Sequence, residues 1–157
     1  MKYFGLVLVL VALFAGIQPT TAQAPNDKQI VPGIRVGPVS VGMSDADLYK
    51  VLGDPTDTDT LHYRPSIAYR YTSFFVIVNR DSHKVTQIAT SDPSYSTAEG
   101  IKAGSSGLGV SVKYGVPGPC SPVYGCNYNY PNGISLGINP NGSVSSISVY
   151  QAGGAHY

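Results

Sequence analysis

Three kinds of apolar pattern run along the chain. Residues 6–17 form one unbroken apolar run, residues 44–52 carry apolar side chains at helical spacing, and most of the chain beyond residue 62 alternates with a period of two. In residues 42–55, GMSDADLYKVLGDP, Ser44 takes an N-cap position with Asp47 three residues on. Ala46, Leu48, Tyr49, Val51 and Leu52 then follow with helical spacing. Gly53 and Pro55 supply the stop. Strands are expected elsewhere. From residue 63 to residue 71, Tyr63, Ile67, Tyr69 and Tyr71 share one parity and Arg64, Ser66, Ala68 and Arg70 the other, which predicts a half-buried strand. Residues 74–78, FFVIV, read as a buried strand, and residues 84–90 as a further one. Val85 and Ile88 are three apart and cannot share a face of a flat strand, so a bulge or cover on both faces is required. Late in the chain Ile134, Leu136 and Ile138 alternate, residues 139–142 (NPNG) turn the chain, and Val144, Ile147 and Val149 form a last strand.

The connecting stretches are weaker. Residues 25–33 read as a flexible polar lead, residues 34–42 as a short strand or extended segment, and residues 54–60 (DPTDTDT) as a solvated loop. Ser96 and Glu99 in capping-box spacing suggest one helical turn before Gly100.

Residues 104–117, GSSGLGVSVKYGVP, set two signals against each other. Val110, Val112 and Tyr114 alternate as a strand, and Gly107 and Gly109 each disfavour a helix by about 1 kcal/mol. Yet Gly104, Ser106, Val110, Tyr114, Gly115 and Pro117 match Gly42, Ser44, Leu48, Leu52, Gly53 and Pro55 at a constant offset of 62. A short, weak helix held by packing is therefore expected. At an offset of 59, Val144 and Ile147 match Val85 and Ile88, so the same uneven spacing closes both halves. The expected fold is α+β, an antiparallel sheet with short helices packed on one face, in two tandem repeats of about 60 residues: 34–92 and 93–150, with a tail at 151–157. The other sheet face is left open.

Lys2, the apolar run and Ala22-Gln23-Ala24 have the layout of a signal peptide over residues 1–24, which implies a secreted or periplasmic chain. The run is shorter than the roughly 20 residues of a spanning helix, so no stable membrane insertion is expected after cleavage. Removing Lys2 from the ten basic residues equalises them with the nine acidic ones. Without a positive field, nucleic acid is not an expected partner. In an oxidising compartment Cys120 and Cys126 are expected to form a local disulfide. No His stands near them to complete a metal site, and no cofactor motif or metal set emerges elsewhere.

Twelve tyrosines, Tyr3 in the leader, stand out in a chain with no Trp. Tyr63, Tyr69 and Tyr71, with Tyr128 and Tyr130 near a matching position of the second half, are the candidate binding residues, because tyrosine joins large contact area to a polar tip. The expected partner is another protein, with a small ligand, lipid or glycan as the alternative. A cell-wall hydrolase ranks lower: His62 and His83 lie in or beside turns, His156 lies in the tail, and the carboxylates sit at caps and loops.

The pattern Gly-x-Ser-x5-Leu/Val-x3-Leu/Tyr-Gly-x-Pro, followed by strands ending in Val-x2-Ile, resembles the β-lactamase inhibitory protein-like fold, which includes the small outer-membrane assembly lipoproteins of the SmpA/OmlA type. The resemblance implies a helical segment before an antiparallel sheet, in tandem, and a non-enzymatic binding module. No cysteine stands at the cleavage site to carry a lipid.

Overall fold

The computed structural model describes residues 27–61, 65–116, 123 and 125–153; residues 1–24 lie outside them. The elements are β1 (Gln29–Val31), β2 (Arg35–Val36), β3 (Val39–Ser40), α1 (Asp45–Leu52), β4 (Asp57–Leu61), β5 (Ser66–Arg70), β6 (Phe75–Asn79), β7 (Lys84–Thr90), β8 (Ser96–Thr97), α2 (Gly107–Tyr114), β9 (Cys126–Tyr130), β10 (Ile134–Ile138) and β11 (Val144–Tyr150). Seven strands form an antiparallel sheet in the order β4-β5-β6-β7-β11-β10-β9, and four short ones form a second sheet, β3-β2-β1-β8. The class is α+β.

Both helices end as their sequences require, but only α1 begins with a side-chain cap, since Ser106 stands at the N-cap of α2 without a cap hydrogen bond from its side chain. Ser44 accepts from the Asp47 backbone N–H at 3.1 Å and donates to the Asp47 carboxylate at 2.7 Å, which Lys50 also reaches at 2.8 Å. Gly53 and Gly115 take φ of 75° and 81° and donate to the carbonyls of Tyr49 and Ser111, closing the last turns. For α2 the packing outweighs propensity: Val110 is fully buried, as Leu48 is in α1. Gly107 has a specific reason to lack a side chain, since a Cβ there would lie 2.9 Å from the Gly142 carbonyl oxygen.

The two helices are tied to the large sheet by matching bonds. Gly42 donates to Val85 O, Val85 to Met43 O and Asp45 to His83 O; Gly104 donates to Val144 O, Val144 to Ser105 O and Gly107 to Gly142 O. Isolated bridges join Ser44 to Lys84 and Ser106 to Ser143. Where β7 meets β11, Thr90 pairs with Ile147 and Ile88 with Val149, on either side of Ala89 and Ser148.

The uneven Val to Ile spacing is resolved by bulges. Register shifts at Ile77/Val78 opposite β7, and at Gly137/Ile138 opposite β11, bring Val85 with Ile88 and Val144 with Ile147 into one core. That core lies on the helix-bearing face of the large sheet and takes in Val76, Val78, Ile134 and Leu136 together with Ile30, Val36 and Val39 of the small sheet.

Four expectations are corrected. The described part of the flexible lead 25–33 contains β1, whose Ile30 is 2% exposed and whose backbone pairs with β2 and β8. Within DPTDTDT, Asp57 onward is an edge strand; its side chains are exposed, so pairing with β5 holds it without an apolar pattern. Ser96 and Thr97 form β8 instead of a helical turn. Ser96 donates to Lys28 O across a parallel pairing, and Thr97 donates to Ile101 O while its own carbonyl accepts from Gly100. Finally, a second sheet stands beside the single sheet expected.

Candidate functional site

Strand parity decides which side chains meet solvent. Val76 pairs with Tyr69 and Ile88, and Ile134 pairs with Val149 and Tyr130, so these residues share the helix-bearing face. Of the candidate tyrosines, Tyr69, Tyr71, Tyr128 and Tyr130 belong to that face and are corrected as an exposed surface. Tyr69, Tyr128 and Tyr130 are buried, and Tyr71 is half-buried. Tyr63 lies outside the described residues. Their rings fasten the helices: Tyr69 meets Tyr49 of α1 edge-on with centroids 5.7 Å apart, and Tyr130 meets Tyr114 of α2 at 5.3 Å. Tyr130 also donates to the Gly115 carbonyl at 2.9 Å. Burial, then the hydrogen bond with Tyr49, pushes the Tyr69 hydroxyl up to about 12. Tyr71 also rises to about 12, by burial first and then by its neighbours' charges, and its hydroxyl is buried with no hydrogen-bond partner among the described residues.

The opposite parity forms the open face. One line of paired residues crosses all seven strands: Asp57, Arg70, Phe75, Ala89, Ser148, Ser135 and Asn129. Small polar residues dominate its second half, where Ser135 donates to Asn129 at 2.6 Å. In the first half the Arg70 guanidinium lies 5.0 Å from the Phe75 ring centroid, with its Nε 3.4 Å from Asp57. A cleft of about 260 Å³ opens beside them against the turn at residues 71–74.

A second exposed feature lies on α2. At 3.6 residues per turn, Leu108 and Val112 share a face and Val110 points the other way. With Val110 in the core, Leu108 is 75% exposed and Val112 76%; Val116, just past the helix, is 64% exposed. The matching positions of α1 at the offset of 62 are Ala46, Lys50 and Asp54. Leu108 and Val112 were not singled out in the sequence: the expected helix was read through its repeat matches, Val110 and Tyr114, and the signal available was the four-residue spacing of two apolar residues on the opposite face.

The histidines supply no convergent chemistry among the described residues. His83, with φ of 54°, places Nδ1 2.8 Å from the Asp45 carboxylate and so joins the turn before β7 to the start of α1. His62 and His156 lie outside the described residues. No group of three or more His, Cys, Asp or Glu side chains is gathered for a metal among the described residues. Cys126 is not a free thiol, and Cys120, the expected partner, lies outside the described residues. No helix among the described residues is long and apolar enough to cross a membrane.

No family model and no curated protein matches the chain. Among solved structures, an extracellular protein containing a SCP domain from Bacillus anthracis str. Ames is similar in fold, with a TM-score of 0.54 at 9% identity. The match covers 71% of this chain and 44% of that one, so this chain spans less than half the length of its structural neighbour.

Proposed function

We propose that the chain is a secreted or periplasmic, non-enzymatic protein-binding module built from a duplicated α/β unit, residues 34–92 and 93–150. Duplication is supported by the matching bonds of α1 and α2. It is supported again at the β7/β11 seam, where the offset of 59 carries Ile88 to Ile147 and Thr90 to Val149, so that the two pairs exchange with each other. The leader pattern of residues 1–24 and the extracellular nature of the structural neighbour support export. In an oxidising compartment Cys120 and Cys126 form the proposed disulfide.

The observation that carries the binding function is the apolar row on α2. Leu108, Val112 and Val116 are exposed, whereas the equivalent positions of α1 carry Ala46, Lys50 and Asp54 in the same setting. The unit therefore folds without large apolar residues there, and large apolar side chains grouped on an exposed face mark a contact surface. The row is the surface that meets the partner protein.

The test uses the mature chain as bait against the producing cell's envelope fraction and secreted β-lactamases, beside a Leu108→Ser/Val112→Ser variant. A protein retained by the parent and lost with the variant, at unchanged circular dichroism and melting temperature, is the expected result. Equal retention by both, or capture of lipid or glycan without protein, refutes the reading.

A further inference from the structure

We propose that the cleft at Arg70 binds a carboxylate carried on a short aliphatic chain or a single small ring, as in a glutamate side chain or an acidic sugar. This inference is independent of the α2 row, which lies across the sheet on the helix-bearing side. The cleft, about 260 Å³, is lined on the open face by Arg70, Phe75, Ala89 and Ser146, and at its rim by Thr72 and Ser91. That volume suits a side chain or a single small ring, not an extended ligand.

The guanidinium is held from two sides. Phe75 lies beneath it at 5.0 Å, and Asp57 engages Nε at 3.4 Å. Its two Nη groups have no protein partner among the described residues. A planar fork fixed in this way meets the two oxygens of a carboxylate through parallel N–H···O bonds, and its orientation is set before the ligand arrives. Thr72, Ser91 and Ser146 contribute hydroxyls without intramolecular partners among the described residues, while Phe75 and Ala89 offer an apolar wall for the aliphatic chain or ring. Charge selects the ligand class. One cation, already beside Asp57, balances a monoanion far better than the dianion of a phosphate.

The experiment titrates the folded mature chain with N-acetyl-glutamate N-methylamide, the matching glutamine compound, glucuronate and inorganic phosphate, following ¹⁵N–¹H correlation spectra. Shifts centred on the Arg70 Nε–H and the amides of Thr72, Ser91 and Ser146, with a Kd on the order of millimolar for a carboxylate probe and none for the glutamine compound, are expected. Glutamate and glucuronate distinguish a peptide from a sugar as the carrier. Arg70→Gln is expected to weaken binding tenfold or more. Asp57→Asn, which keeps an oxygen for Nε and removes the like charge, is expected to tighten it roughly threefold. Both side chains are half-exposed or more, so the variants keep the fold, checked by their melting temperatures. Equal affinity for the glutamine compound, tighter binding of phosphate, shifts centred elsewhere, or an Asp57→Asn variant that binds more weakly would each overturn the assignment.

Discussion

Replacing Tyr71 by Phe removes one oxygen atom from a site where that atom is shielded from water and has no hydrogen-bond partner among the described residues. The Tyr71 hydroxyl is buried without a hydrogen-bond partner among the described residues, and burial raises its pKa to about 12. Leaving a buried donor unmade costs about 1–3 kcal/mol, whereas the dispersion contacts of one oxygen recover only a part of that. Tyr71→Phe is therefore expected to stabilise the protein by about 1 kcal/mol, which for a domain of this size raises Tm by about 4 °C. Tyr150→Phe is the control. There the hydroxyl donates to the Tyr130 carbonyl at 2.8 Å and lies 3.2 Å from the Ile134 carbonyl, so its removal is expected to cost about 1 kcal/mol. Urea unfolding of the two variants beside the parent, at neutral pH and with unchanged m-values, measures the difference. If Tyr71→Phe destabilises as much as Tyr150→Phe does, the Tyr71 hydroxyl has a stabilising partner and the reasoning is wrong.

The glycines of α2 separate in the same way: Gly109 has no atom within 4 Å of an added Cβ, so Gly109→Ala is expected to stabilise by about 1 kcal/mol, whereas Gly107→Ala meets the Gly142 carbonyl and destabilises. Thermal melts of the two variants shifting in the same direction would contradict this. At the acid end, bonds from Ser94 and then Ser73 hold Asp92 at about 2, below its unfolded value of about 3.9. The stability it contributes is present above pH 4 and is lost as pH falls toward 2, so Asp92→Asn is expected to flatten that part of a stability-pH profile. At the alkaline end, Tyr69, Tyr71 and Tyr114 are raised to about 12, Tyr114 by burial and then by its bond to Glu99. Their contribution is complete below pH 10 and lost as pH rises through 12, which the same profile records. The proposed Cys120–Cys126 bridge closes a short loop, so reduction is expected to lower stability by about 2 kcal/mol; a thiol titration of the oxidised chain that finds two free thiols removes the bridge.

Much of the local structure was legible because its causes are local. Ser44, Asp47 and Gly53 carry the start and stop of α1 within a short stretch, and the repeated Gly, Ser and Pro positions pointed to α2 against its own propensity. The uneven spacing of Val85 and Ile88 called for a bulge, and β7 has one at Thr86, between Val85 and Gln87, which pair with the adjacent residues Val78 and Ile77. Elements without a local cause were not legible. The edge strand β4 has no apolar alternation, and β8 depends on parallel pairing with β1, 67 residues before it at Gln29↔Ser96.

The candidate surface divides along the same line. Period-two alternation established from sequence that β5 has two unlike faces, but alternation is symmetric and does not say which face another layer covers. Tyrosine made the choice harder, since its ring can fill a core while its hydroxyl reaches a carbonyl, as Tyr130 does at Gly115. Only the packing of α1, α2 and the small sheet onto the large one assigned Tyr69, Tyr128 and Tyr130 to the interior and left Arg70 and Phe75 on the open side. It likewise turned Leu108 and Val112 outward, because the burial of one residue of a helix, Val110, determines where those two positions away must point.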